Sequence, residues 1–255
     1  MKKRVLITGG AGFIGSQLGH YLARNSHDVY LLDNMKHGHE DNLEIKGKKF
    51  GSFIKADIRD EDFVRYTEGM DYVVHLAGLS SLPLCQSKPM YAMDVNVGGT
   101  ANVLEACRLS GVKRVVFAST GAIYENNFEP PFKEDDTVSP FLVYPVSKHQ
   151  AESLCESYEV CYGMDIVRLR FFNVYGPRQN PKNEYSGVIS IFIDKLLKEG
   201  ETTIEAIQKR NKEKIQTFDY DVDENAEVLD EKPEEDIEAI ENESEVIKFS
   251  TAVVA

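Results

Sequence analysis

Tyr144 and Lys148 stand four residues apart in "YPVSK", a spacing that puts both side chains on one face of a helix. A lysine ammonium beside a phenol favours the phenolate and lowers its pKa from about 10. A phenolate poised near neutral pH can take a hydroxyl proton while the C–H hydride leaves for an acceptor. Upstream, "FASTGAIYENN" spans 117–127. Its apolar run ends on two hydroxyls, Ser119 and Thr120, and no acid follows until Glu125. The Thr120 hydroxyl is suited to orient a substrate hydroxyl and relay its proton. Thr120, Tyr144 and Lys148 are the candidate catalytic residues.

The hydride acceptor is implied near the N-terminus. "TGGAGFIGS" places Gly9, Gly12 and Gly15 in GxxGxxG spacing between a strand pattern and a helix pattern. Glycines allow the tight turn, the close approach of backbone to a pyrophosphate and the packing of helix on strand. The helix N-terminus offers free N–H groups to the anion. About twenty residues on, "LLDN" ends in Asp33 and Asn34. A carboxylate there accepts the adenosine ribose hydroxyls and repels a 2′-phosphate. No Arg or Lys adjoins Asp33, so the expected cofactor is NAD(H), not NADP(H). An oxidised nicotinamide would add positive charge beside the phenol.

Elements that position these residues alternate along the chain. "RVLITG", "DVYLLD", "FIKADI", "DYVVHLAG", "RVVFAS" and "MDIVRLRFF" read as strands. Helices are expected over "GFIGSQLGHYLARN", with Phe13, Ile14, Leu18, Tyr21 and Leu22 on one face, over roughly 60–67, over 88–109, and over "SKHQAESLCESYEVCYG", with Gly163 as its stop. Short Val/Ile/Leu runs alternating with helices predict an α/β fold, a doubly wound parallel sheet, over 1–175. Thr120 then ends the fifth strand, at the edge where such folds bind ligands. Residues 188–199 read as a further helix. Residues 201–255 are polar, acidic and glycine-free, a composition that suits either a few elements or a mobile tail.

Charge follows the same division. Residues 1–200 carry 23 Lys+Arg against 25 Asp+Glu, and residues 201–255 carry 6 against 17. A near-neutral body with an acidic tail argues against nucleic acid or an anionic membrane as partner. No run is long enough to cross a membrane. The four cysteines show no CxxC spacing and no nearby His, so reduced thiols in a cytoplasmic protein are expected and no metal site is.

In order and spacing, "TGGAGFIGS", "LLDN", "KADIRD", "HLAG", "NVGGT", "FAST", "YPVSK" and "RFFNVYGPRQNP" resemble the extended short-chain dehydrogenase/reductase family, and within it the nucleotide-sugar epimerase/dehydratase group. The resemblance covers roughly 3–200. It implies that Phe13 and Ile14 lie at the pyrophosphate and that Asp57 and Ile58 hold the adenine. It implies cofactor contacts for Asn34, for Leu76, Ala77 and Gly78 behind the fourth strand, for Asn96, Ala118 and Phe172, and for Tyr144 and Lys148 themselves. Asn173 would contact the sugar nucleotide, and Ser80 and Ser81 in "SSLPLCQ" would line the sugar site with Thr120 and Tyr144. Helices near 88–109 and 147–162 are those such proteins use for a homodimer.

The resemblance also gives meaning to the missing acid. The dehydrating branch places an Asp-Glu pair directly after the threonine, and the decarboxylating branch a Glu. This chain has Gly121 and Ala122, neither able to transfer a proton. That favours a 4-epimerase, which takes hydride from C4 of a UDP-hexose and returns it to the other face. Family members are longer chains, and Phe218 stands where they carry a nucleotide-binding arginine. The substrate region, 176–255, is therefore expected to be shortened and divergent. Two other readings stay open: a nucleotide-sugar reductase or dehydrogenase, and an NAD-binding remnant with impaired turnover.

Overall fold

The structure, a computed structural model, describes residues 2–127, 130–176, 178–179 and 193. The helix expected over 188–199, the acidic segment 201–255 and Phe218 lie outside the described residues. β1 (Arg4–Thr8) leads through the glycine turn into α1 (Phe13–Arg24) and β2 (Asp28–Asp33). A small antiparallel hairpin of β3 (Glu44–Ile45) and β4 (Lys48–Lys49) precedes β5 (Ser52–Lys55). Then come α2 (Val64–Thr67), β6 (Tyr72–His75), α3 (Leu82–Ser87), α4 (Pro89–Met93), a π-helical turn (Asp94–Gly98) and α5 (Gly99–Leu109). β7 (Arg114–Thr120), a 3₁₀ turn (Gly121–Tyr124), α6 (Val143–Tyr162) and β8 (Ile166–Phe171) complete the described elements.

Six strands form one parallel sheet in the order β5-β2-β1-β6-β7-β8. This is the doubly wound arrangement, and the strand order reverses between β1 and β6. Ligands in such folds bind at the carboxyl ends beside that reversal. Here those ends are Thr8, Asp33, His75 and Thr120.

Alternation along each strand divides the core between the two faces. Leu6, Leu32, Val73, Val115 and Phe117 enter one cluster with Val103, Leu104 and Cys107 of α5 and Ala151 and Cys155 of α6. Val5, Ile7, Val29 and Leu31 face the other way, where Leu18 and Leu22 of α1 cover them. The expected apolar face of α1 is only partly right. Tyr21 is 64% exposed, and the fully buried positions are Gly15, Ser16 and Gly19. A Cβ on Gly19 would lie 2.7 Å from Leu31 Cδ2, so a small-residue face lets α1 approach the sheet more closely than an apolar stripe could.

Two further helices differ from their sequence pattern. The stretch 88–109 is broken by the π turn at Asp94–Gly98, a wide turn of the kind that re-aims side chains. α6 begins at Val143, so Tyr144 lies in its first turn. Its Leu142 N-cap has no side-chain cap of its own. Glu125 supplies one from the preceding turn: its Oε1 accepts from the Leu142 N–H at 2.8 Å and from the Phe141 N–H. The first acid after Thr120 is thus occupied in starting the helix that carries Tyr144. Glu125→Ala is expected to cost about 1–2 kcal/mol in urea unfolding, with faster amide exchange confined to 141–146.

Candidate active site

At the carboxyl end of β1, Gly9 adopts φ +70°, a left-handed conformation that L side chains resist. A Cβ there would lie 2.9 Å from the Ala77 amide nitrogen. One on Gly12 would lie 3.1 Å from the Gly9 oxygen, and one on Gly15 would collide with that oxygen outright. The loop is therefore backbone packed on backbone. Gly12 is the N-cap of α1 and gives no side-chain cap, and the first turn holds no acid. Since Ser16 N–H is the first to bond back, to Gly12 O at 3.1 Å, the N–H groups of Phe13, Ile14 and Gly15 have no partner within the helix. Such a cradle fits a dinucleotide pyrophosphate.

Asp33 is buried beneath this loop. Its oxygens accept from Ala11 N–H at 3.1 Å and Met35 N–H at 2.9 Å. Lone pairs remain on both oxygens for a sugar hydroxyl. The Asn34 side chain donates to Asp57 Oδ2 at 2.9 Å, while Arg59 binds Asp57 and reaches Asp94 at 2.6 Å. Bonds from Arg59 hold the Asp57 carboxyl well below the usual carboxylate range against the opposing effect of burial. The Ile58 side chain turns into the core, where a Cβ on Gly99 would lie 2.5 Å from its Cδ1, and its carbonyl accepts from Asn102 Nδ2 at 2.8 Å. Lys36, three residues beyond Asp33, donates to the Tyr91 hydroxyl at 2.8 Å.

Leu76, Ala77 and Gly78 leave β6 in a turn held to β1: Leu76 N–H donates to Thr8 O at 3.2 Å and Ala77 N–H to Thr8 Oγ1 at 3.1 Å. Asn96, in the π turn, is buried. Its Oδ1 accepts from Leu79 N–H at 2.7 Å and its Nδ2 donates to Leu79 O at 3.0 Å and Ser147 Oγ at 2.9 Å. Ser147 in turn donates to Tyr144 O at 2.7 Å. The wide turn lets Asn96 join the β6 loop to the start of α6.

Thr120 ends β7, and Tyr144 and Lys148 stand one turn apart at the start of α6. Thr120 Oγ1 accepts from Ala122 N–H at 3.1 Å, which leaves its proton free to turn toward the Tyr144 phenol, whose pKa Thr120 lowers. Burial pushes the Tyr144 phenol up, and the Thr120 bond pulls it partly back. The lowered phenol expected from Lys148 alone is not what the protein chain provides, because burial outweighs its neighbours. Lys148 is 7% exposed, its Nζ 4.2 Å over the Phe117 ring, and burial pushes it down to about 8. An ideal Cβ on Gly78 would be 3.1 Å from Asn96 Oδ1 and 3.9 Å from Lys148 Nζ, so a side chain there would press on the Asn96 amide and touch the Lys148 ammonium.

The remaining expected contacts lie around this centre. Ala118 sits within β7. Phe172 stacks on Phe132 at 6.0 Å, and Phe132 on Tyr124 at 5.3 Å. The Phe172 ring also fills the space a side chain at 121 would need, 2.8 Å from an ideal Cβ. Asn173 and Ser80 are exposed. Ser81 uses its hydroxyl to cap α3, accepting from Leu84 N–H at 3.2 Å. Four residues of the site carry no role in the sequence reading: Thr8, His75, Thr100 and Ser147. His75 and Thr100 stand inside "HLAG" and "NVGGT", but their partners are far apart along the chain.

Residues 5–214 match the model of the NAD dependent epimerase/dehydratase family. The UDP-glucose 4-epimerase of Mycolicibacterium smegmatis is 38% identical over 205 residues, covering 78% of this chain and 64% of that one. The UDP-N-acetyl-alpha-D-glucosaminuronate decarboxylase of Bacillus cytotoxicus is 38% identical over 204 residues, covering 76% and 61%. Among solved structures, the UDP-N-acetylglucosamine 4-epimerase of Methanobrevibacter ruminantium M1, in complex with UDP-N-acetylmuramic acid, superposes with TM-score 0.74 at 36% identity, covering 79% of this chain and 65% of that one. The chain thus spans under two thirds of the length of each.

Proposed function

The chain belongs to the NAD-dependent epimerase/dehydratase family, and from that premise we propose that it is a nucleotide-sugar 4-epimerase acting on a UDP-hexose through a 4-keto sugar. The observation that supports this most is a Thr120 hydroxyl that lowers the Tyr144 phenol, beside a position 121 whose side-chain space is filled by Phe172. The chain offers hydroxyls for proton transfer, and the Phe172 ring lies where the side chain of an acid at 121 would stand. Glu125, the nearest acid in sequence, is bound to the backbone of Phe141 and Leu142.

The residues fit NAD, which supplies, when bound, the acceptor and donor of hydride. The Gly9–Gly15 loop and the α1 N-terminus would hold its pyrophosphate, and Asp33 its adenosine ribose. Tyr144 takes the proton from the sugar O4 as the C4 hydride leaves, and gives it back when hydride returns to the opposite face. Thr120 holds O4 in line with the Tyr144 oxygen. Lys148 opposes the negative charge that forms on Tyr144.

The same reading carries a cytoplasmic homodimer built on the outer faces of α4, α5 and α6, where Leu109, Val160 and Tyr162 stand exposed. Four free cysteines are in keeping with a reducing compartment, and among the described residues no helix is long and apolar enough to cross a membrane. Light scattering of the purified chain checks the dimer.

The deciding experiment follows the anomeric protons of UDP-glucose, UDP-galactose and their N-acetyl counterparts by NMR after addition of the chain and NAD. Interconversion without net NADH supports the epimerase. Net oxidation or reduction of free cofactor would favour a reductase or dehydrogenase, and bound NAD without turnover a remnant. Gly15→Ala, whose Cβ has nowhere to go but into the Gly9 carbonyl, is expected to weaken NAD binding at least about tenfold by calorimetry and to lower stability by about 2 kcal/mol.

A further inference from the structure

His75 takes no part in the chemistry above, yet it sits 1% exposed at the end of β6, where the strand order reverses. Its Nδ1 is 2.7 Å from Thr8 Oγ1 and its Nε2 3.1 Å from Thr100 Oγ1. The hydroxyl protons decide its tautomer. Thr100 gives its proton to the Asn96 carbonyl at 2.6 Å, so it shows His75 only lone pairs, and Nε2 must carry hydrogen. Thr8 Oγ1 already accepts from Ala77 N–H, and its own proton points at a bare Nδ1. All bonds then run one way: Ala77 N–H to Thr8, Thr8 to His75, His75 to Thr100, Thr100 to the Asn96 carbonyl. Burial and the charge of Lys148 push the ring down to about 3, which keeps it neutral.

We propose that His75, held as the neutral Nε2–H tautomer, is a positioning residue for the Tyr144–Lys148 pair. One end of its chain fixes the turn at Ala77 and Gly78, beside Lys148 Nζ. The other fixes the π turn, whose Asn96 side chain reaches Ser147 and through it the Tyr144 carbonyl. Neutrality matters as much as geometry. The Phe117 ring, 5.7 Å from His75 by ring centroids, also carries the Lys148 ammonium, so an imidazolium there would repel the charge that Tyr144 needs. The inference rests on the roles proposed for Tyr144 and Lys148, but its test needs no sugar nucleotide.

Long-range proton–nitrogen NMR of the unmodified chain is expected to show a neutral His75 ring protonated on Nε2 and unchanged between about pH 5 and 9. A ring that titrates in that window, or carries its proton on Nδ1, overturns the proposal. The second readout is the midpoint of Tyr144 ionisation, taken as phenolate absorbance relative to Tyr144→Phe, with NAD present and absent. Cys85 and Lys148 are the titratable neighbours in that region, and neither is altered. His75→Leu and Thr100→Val, which cut the chain at different links, are each expected to raise the midpoint by about one pH unit, a tenfold loss of phenolate. His75→Gln, which keeps one donor and one acceptor, is expected to restore most of it. An unmoved midpoint in a folded His75→Leu or Thr100→Val chain overturns the positioning role. Loss of sugar turnover with both readouts as expected would instead count against the epimerase reading alone.

Discussion

Tyr144→Phe is expected to lower kcat for UDP-hexose interconversion about a thousandfold, within the range that general acid–base groups contribute, while NAD stays bound and the fold stays intact. The change removes one oxygen and nothing else. The ring remains packed on Leu79, Cys85 and Ala92, and Thr120 keeps its bond from Ala122 N–H, so only the Thr120 hydroxyl proton loses a neighbour. Thermal midpoints within about 3 °C of each other are expected. The pH dependence carries the sharper test. Burial raises the Tyr144 phenol above its ordinary value in the protein alone, so the active phenolate is the minor form at neutral pH. The rate should therefore climb with pH up to about 8, where Lys148 begins to lose its charge, and this rising limb should vanish in the variant. A Tyr144→Phe chain that retained both rate and limb would transfer the base to another residue and remove the proposed chemistry.

How far all this was readable in the sequence depends on the range over which each contact acts. "DVYLLD" is β2 residue for residue, because a buried parallel strand announces itself within six positions. The glycine cradle, Asp33 and the helical pairing of Tyr144 with Lys148 were equally legible, since each is set by spacing within one turn or one strand-to-strand step. The face of α1 was misread because glycine does not register as apolar, although Gly15 and Gly19 are what let the helix approach the sheet. The π turn was hidden because the apolar periodicity runs through it, from Val95 inside the turn to Val103 and Leu104 beyond it. Glu125 could be seen as an acid but not as a cap, since its partners lie 16 and 17 residues away. His75 bonds across 67 positions to Thr8 and 25 to Thr100, and no local pattern reports a bond that only the folded sheet creates. The closed slot at Gly121 is legible in part: the sequence shows that an acid is missing, and the structure shows Phe172 occupying the room one would need.

Lys148→Met is expected to abolish turnover and yet make the protein more stable, by about 2–3 kcal/mol at pH 7. The sign follows from where the ammonium is held. Burial brings Lys148 down to about 8 from an ordinary 10.5, so below pH 8 the folded chain carries a buried charge that the unfolded chain keeps in water. That cost is fully present below pH 8, shrinks as pH rises, and is gone above about 10.5, where both states are neutral. Methionine fills similar space over Phe117 and carries no charge, so the stability gap between variant and parent should close between pH 8 and 10.5 in urea unfolding. Turnover should fall about a hundredfold or more, because the variant loses the side-chain charge proposed to oppose the one forming on Tyr144. A variant less stable than its parent would mean that the Phe117 ring and the Glu152 carboxylate one turn away outweigh burial, and that Lys148 belongs to the fold. A more stable, inactive variant would instead mark Lys148 as a residue the fold tolerates for the sake of the chemistry.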